Sequence, residues 1–223
     1  MCGIVGLFLK DPSLESQLGD MLTDMLITMT DRGPDSAGIA IYGGDRDGVA
    51  KLTVQSDTPD VDFDNLENAL RKQIKGPDVR IMGHGTSLEI YKEVGLPKDV
   101  AARFDLRKMS GTHGIGHTRM ATESAVTTMG AHPFNTGVDQ CLVHNGSLSN
   151  HNSLRRKLRR LGVYIETEND TEVGAAYLTW KMQTGATLGE ALESSLDDLD
   201  GFFTFLVGTK DGFGVVRDPI ACK

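Results

Sequence analysis

Two rhythms of apolar positions alternate along this chain. Residues 3–9 are almost continuously apolar or β-branched, the pattern of a buried strand. From Pro12-Ser13 the period changes: Leu14, Leu18, Met21, Leu22, Met25 and Met29 predict a helix with one methionine-rich apolar face. Asp31-Arg32-Gly33-Pro34 stops it, and residues 37–42 resume strand character. Gly43-Gly44-Asp45 then reads as a hairpin turn into a strand over residues 49–54.

Between residues 57 and 110 the rhythm weakens. Leu66, Leu70 and Ile74 suggest a short helix, residues 79–82 a strand, and 94–109 a charged, partly helical stretch. This is read as an insertion elaborating one edge of the main fold, with a small subdomain as the other option. Residues 114–121 and 139–144 are again strand-like. Residues 151–161 predict a helix with Leu154, Leu158 and Leu161 inside and Gly162 ending it. Val173, Ala176, Tyr177 and Trp180 mark another helix, and 202–207 with 212–216 a closing hairpin. Strands joined by hairpins yet interleaved with helices predict a single antiparallel α+β domain over residues 1–223.

Composition narrows the class. A chain of 223 residues buries enough surface to fold without staples, and 39% hydrophobic with 24% charged residues is ordinary for a globular protein. The net charge of -8 disfavours nucleic acid as a partner. The basic cluster Arg155, Arg156, Lys157, Arg159 and Arg160 reads as a solvated face near a helix C-terminus. Three cysteines make no disulfide framework and fit a reducing compartment. No stretch has the make-up of a signal peptide or a membrane span, so a soluble, cytoplasmic protein is expected.

The chemistry centres on Cys2. With Met1 removed, its thiol and a free α-amine of pKa about 7.7–8.0 belong to one residue, giving a nucleophile with a built-in base. Taken alone, an early cysteine is more often a small buried residue, which is how Cys141 and Cys222 are read. His117, His132 and His144 fit no zinc spacing, and no metal is expected.

Cys2 keeps specific company. After Met1-Cys2-Gly3-Ile4-Val5-Gly6 come Arg32-Gly33-Pro34-Asp35-Ser36-Ala37-Gly38 and Gly116-His117-Thr118-Arg119-Met120-Ala121-Thr122. Ala131-His132-Pro133-Phe134, Val143-His144-Asn145-Gly146 and Asn169-Asp170-Thr171-Glu172-Val173 follow. In this order the motifs resemble the class II glutamine amidotransferases, from residue 2 to about residue 217.

The resemblance implies a four-layer αββα N-terminal-nucleophile hydrolase sandwich of two antiparallel sheets. It also implies hydrolysis of L-glutamine through a Cys2 thioester. Asn145 and Gly146 match the oxyanion donors, although Asn-Gly is by itself a hairpin-turn dipeptide. Arg119 matches the grip on the glutamine α-carboxylate, Asp170 the partner of its α-ammonium, and Thr122 a further hydroxyl contact. Arg119 also reads as a surface ion-pair residue, and Asp170 as a helix cap. Arg32 matches an arginine beside the nucleophile's strand, in a supporting role or as a plain loop contact.

Met120 and Glu123 depart from the tryptophan and histidine of many sugar-phosphate-forming members. The mixture is most similar to stand-alone subunits of glutamate-synthase-like complexes, including N-methylglutamate synthase. No cofactor is expected in this chain. The ammonia acceptor is expected on a separate synthase subunit carrying FMN and iron–sulfur. Arg217-Asp218-Pro219 resembles a phrase that leads into further strands in the family, so a truncated or shortened domain is expected, and with it an exposed edge and a partner or homo-oligomer. Gly83-His84-Gly85-Thr86 reads as a cover over bound glutamine or as a simple turn. Two alternatives remain open: an N-terminal-nucleophile hydrolase of other amides, and a non-catalytic subunit that keeps the fold.

Overall fold

The computed structural model describes residues 2–43, 51–56, 80–121 and 125–221. Its strands in chain order are β1 (Gly3–Phe8), β2 (Ser36–Tyr42), β3 (Lys51–Gln55), β4 (Arg80–Gly85), β5 (Leu88–Val94), β6 (His113–Arg119), β7 (Phe134–Gly137), β8 (Gln140–Leu148), β9 (Gly201–Thr209) and β10 (Gly212–Arg217). The helices are α1 (Leu18–Thr28), α2 (Pro97–Arg103), α3 (His151–Arg160), α4 (Asp170–Gln183) and α5 (Leu188–Asp198). Two antiparallel sheets, ordered β1-β6-β2-β5 and β10-β9-β8-β7, form the body, with β3 and β4 pairing separately.

Side-chain alternation stacks these sheets into four layers. On β2, Ala37, Ile39 and Ile41 face α1 and α2, where Leu18, Leu22, Leu26 and Val100 cover them. Ala40 and Tyr42 point the other way, into an inter-sheet core shared with Ile115, Cys141, Val143 and Leu206. The outer face of the second sheet, including Leu142, Phe203, Phe205 and Val207, packs on α3, α4 and α5 through Leu158, Val173, Tyr177 and Leu192. Each fully buried leucine or phenylalanine contributes roughly 1.5–3 kcal/mol. The arrangement is the αββα sandwich.

Several expectations need correction. The predicted stripe omitted Leu26, which is fully buried, while Met25 and Met29 only flank the core. Leu161 is exposed, because the helix ends at Arg160 and Gly162 turns the chain at φ 83°. β2 makes no hairpin with β3; it pairs with β5 and β6, while β3 pairs with β4. Part of the stretch read as an edge elaboration supplies β5, an edge strand of the first sheet. The expected helix around Leu66, Leu70 and Ile74 lies outside the described residues. Arg155 is buried rather than solvated; it donates to Asn152 Oδ1 (2.8 Å) and Asn169 O (3.3 Å) and pairs with Glu168 (3.1 Å).

Asp139, in the β7–β8 turn at φ 52°, ties the second sheet to the turn between β4 and β5. Its carboxylate accepts from the backbone N–H groups of Thr86, Ser87 and Leu88 at 2.8–3.0 Å. Burial opposes the charge, but these donors prevail and hold the carboxyl below its ordinary value. Of the Gly83–Thr86 segment, Gly83, His84 and Gly85 belong to β4 and pair with β3, and only Thr86 enters the turn that Asp139 holds; none of the four lines the cavity around Cys2. An Asp139→Asn chain should lose about 1.5–3 kcal/mol of unfolding free energy at pH 7. A carboxyl with a lowered native pKa stabilises above its unfolded value, so the gap should close as pH falls below about 4. Urea titrations at pH 7 and pH 3 measure both.

Candidate active site

Cys2 occupies the position just ahead of β1, and the β1–β6 register sets Gly3 opposite Thr118. The end of β6, at Arg119, therefore lies beside Cys2. Cys2 Sγ is 3.5 Å from Met120 N and 3.8 Å from Met120 O. The Cys2 carbonyl accepts from Arg32 Nε and from Asn145 Nδ2, both at 3.3 Å. Arg32 reaches it because the chain turns tightly at Gly33, where an added Cβ would fall 2.4 Å from Thr118 backbone atoms.

Asn145 and Gly146 lie within β8, paired with Thr204 and Phe203, so the hairpin-turn reading of this dipeptide is wrong. Glycine is required for another reason. Gly146 has φ 146°, and a Cβ there would fall 2.0 Å from Phe202 O. Asp170 is the first residue of α4, and the cap is Asn169, whose side chain accepts from Thr171 N. This corrects the capping assignment and leaves the Asp170 carboxylate for other work: it accepts from Leu148 N at 2.9 Å.

A pocket of about 60 Å³ is lined by Cys2, Arg119, Gly146, Ser147 and Asp170, with His132, His144 and Thr171 also contributing. Arg119 is buried and donates to Ala125 O at 3.1 Å, so it is no surface ion-pair residue. Burial lowers its guanidinium from the usual value, while Cys2, Asp35 and Asp170 nearby act in the opposite direction. Thr122 and Glu123 lie outside the described residues. Asp35, which had no assigned role in the sequence, accepts from Ala121 N (2.7 Å) and donates its own N–H to Arg119 O (3.0 Å). Its place beside Ser36, the register partner of Arg119, was hidden until strand pairing was known.

The three histidines converge without forming a metal site. His132 Nε2 and His144 Nδ1 each lie 2.9 Å from Thr171 Oγ1, and His117 Nε2 lies 2.9 Å from His144 O. Among the described residues no group of three or more His, Cys, Asp or Glu side chains is arranged to hold a metal ion. Burial drives all three imidazoles toward neutrality, His117 down to about 3 and His132 well below its usual value. In His144 the opposing pull of Asp170 does not reverse the shift. No described helix is long and apolar enough to cross a membrane.

Comparison with known proteins defines its class. A glutamine amidotransferase domain family matches residues 117–223. The chain is 65% identical over its whole length, and over 84% of the relative, to the glutamine amidotransferase-like protein GlxB of Rhizobium meliloti (strain 1021). It is 37% identical, again over its whole length and 86% of the relative, to a putative glutamine amidotransferase of Methanothermobacter thermautotrophicus (strain Delta H). Among solved structures, the glutamine phosphoribosylpyrophosphate amidotransferase from B. subtilis superposes with a TM-score of 0.63 at 23% identity. That match covers 97% of this chain and 37% of the other, so this chain spans about a third of that enzyme's length. The fold is the one shared by N-terminal-nucleophile amidotransferases. The chain belongs to the class II glutamine amidotransferase family.

Neutral buried histidines give stability a pH dependence of definite sign. Below about pH 6.5 the unfolded chain takes up protons that the folded chain refuses, so stability must fall as pH falls. Between pH 6.5 and 5, His117 and His132 should each contribute a slope approaching about 1.4 kcal/mol per pH unit, and His144 adds to it in the same direction. Urea midpoints at pH 7 and pH 5.5 test this, and a flat profile would contradict the neutral assignment.

Proposed function

We propose that this chain hydrolyses L-glutamine to glutamate and ammonia, with the Cys2 thiolate as nucleophile. The observation that carries the reading is the shared cavity: Cys2, Arg119, Gly146 and Asp170 line one small pocket, with Asn145 Nδ2 3.3 Å from the Cys2 carbonyl.

The steps follow from the residues. Arg119 takes the α-carboxylate of glutamine and Asp170 its α-ammonium, which fixes the side-chain amide over Sγ. The Cys2 α-amine, exposed when Met1 is removed, accepts the thiol proton, and Sγ bonds to the amide carbon. The oxygen becomes an oxyanion held by the Asn145 side chain and the Gly146 N–H; one such donor is worth about 2.7–4 kcal/mol at the transition state. Collapse breaks the C–N bond, the protonated Cys2 amine gives its proton to the departing nitrogen, and ammonia leaves a thioester. Water, deprotonated by the same amine, attacks the thioester and releases glutamate and the thiol. Arg32 supports the sequence by holding the Cys2 carbonyl.

The ammonia passes to an acceptor site on a separate synthase subunit. The resemblance of the ordered motifs to those of stand-alone subunits of glutamate-synthase-like complexes supports this, and on this reading FMN and iron–sulfur belong to that partner.

Intact mass after exposure to 6-diazo-5-oxo-norleucine tests the nucleophile directly. A chain lacking Met1 and carrying one adduct, mapped to Cys2, is the expected product. Cys2→Ser should take no label and release no ammonia while melting like the parent. Arg119→Lys should raise KM for glutamine roughly 10- to 100-fold, since a point charge replaces a bidentate fork, with a smaller change in kcat. Labelling at another residue, or an unchanged KM in Arg119→Lys, would refute the assignment.

A further inference from the structure

Three buried imidazoles and one hydroxyl beside the cavity take no part in the steps above. Three of the four lie within two residues of one that does. His117 precedes Arg119 by two on β6 and so shares its face. His144 immediately precedes Asn145, and Thr171 immediately follows Asp170.

Their contacts close a ring. His117 stacks on His132 with centroids 3.9 Å apart and planes at 22°. His132 meets Thr171 Oγ1, and Thr171 Oγ1 meets His144 Nδ1, both at 2.9 Å. His117 Nε2 returns to His144 O, also at 2.9 Å. A carbonyl oxygen only accepts, so His117 carries its proton on Nε2; its Nδ1 makes no hydrogen bond with a described protein atom.

We infer that His117 is a positioning residue: its Nε2–H bond to the His144 carbonyl sets the Asn145–Gly146 oxyanion donors relative to Cys2. This rests on the glutaminase reading and adds a residue to it. The bond crosses from one sheet to the other and grips the peptide that joins His144 to Asn145. Strand β6 then references both halves of the chemistry. Through the β1 ladder it places Cys2, and through His117 it places the donors. Stacking on His132 limits rotation of the ring. The buried, neutral imidazole offers a single N–H, so no second orientation preserves the bond.

The test uses the full chain with two substitutions. His117→Phe keeps a stacking ring and removes the N–H, and His117→Gln restores an N–H at similar reach. Glutamate release gives kcat and KM, and iodoacetamide alkylation of Cys2, mapped by peptide mass, reports a thiol reaction that forms no oxyanion. His117→Phe should lower kcat roughly 10- to 100-fold, the cost of a donor displaced by a fraction of an ångström to an ångström. KM and the alkylation rate should stay within about twofold, and His117→Gln should recover kcat to within about threefold.

Wild-type kcat in His117→Phe overturns the inference. So does a joint impairment of kcat, KM and alkylation that His117→Gln fails to rescue, which would mark a general packing role. Should His117→Phe not fold, His117→Gln decides alone: near-parental kcat supports the donor role, and a large loss in a folded chain overturns it. A parent chain that neither turns over glutamine nor takes the diazo label sinks the glutaminase reading, and this inference with it.

Discussion

The register of β1 on β6 is the constraint on which the rest of the site depends. Cys2 stands one residue before the ladder, and the ladder sets Gly3 against Thr118 and Phe8 against His113. Strand side chains alternate with period two, so a slip of one residue would turn Cys2 to the opposite face. The helix side of this sheet forbids that slip. On β6, Gly114 and Gly116 face α1, where added Cβ atoms would approach Leu22 and Val5 to 2.5 and 2.9 Å. The bulkier side chains of β6, those of His113, Ile115, His117 and Arg119, stand on the inner face. Close helix packing thereby fixes which face carries chemistry.

The space between the sheets changes character along its length. Away from Cys2 it is apolar, filled by Ala40, Tyr42, Leu88, Ile115, Val143 and Leu206. Toward Cys2 it is polar and hydrogen-bonded. Lys92 shows what this requires: its buried ammonium donates to the carbonyls of Met129, Ala131 and Pro133, three donors for three acceptors. Burial still pulls its pKa down to about 7. By holding that loop, Lys92 also holds His132, which lies between those carbonyls in sequence and lines the cavity. A polar interior at this end lets charged substrate groups enter without facing bare hydrocarbon.

Much of this was legible in the sequence, and the misses have physical causes. Strands with strong local signals, such as residues 3–9 and 202–207, stand where the pattern put them, because burial on both faces demands an unbroken apolar run. Strand β5 was missed: LEIYKEV carries three charged residues, one of them the buried Lys92, whose partners come from a distant loop. Helix α5 was missed although Thr187 and Glu190 form a capping box visible in the sequence. The β2–β3 hairpin was wrongly expected because turn residues signal a reversal but not the strand that will pair. At the site, ordered motifs named Cys2, Arg119, Asn145, Gly146 and Asp170, which the fold brings together. They were silent on Asp35 and Thr171, whose roles arise from contacts between segments far apart in the chain. The histidines drew attention only as metal candidates, since spacing along the sequence does not reveal a stack.

The position of Asn145-Gly146 shows why local rules mislead here. In isolation the dipeptide favours a tight turn, yet both residues lie in a nine-residue strand. Pairing of β8 with β9 imposes the extended path, and the glycine supplies a φ that no residue with a Cβ adopts cheaply against Phe202 O. Such a conformation persists only where the surroundings over-determine it. Here they include the ladder to β9, the bond from Asn145 to the Cys2 carbonyl and the bond from His117 to His144. The departure from local preference and the concentration of tertiary restraints therefore fall on the same two residues, which are the ones proposed to hold an oxyanion.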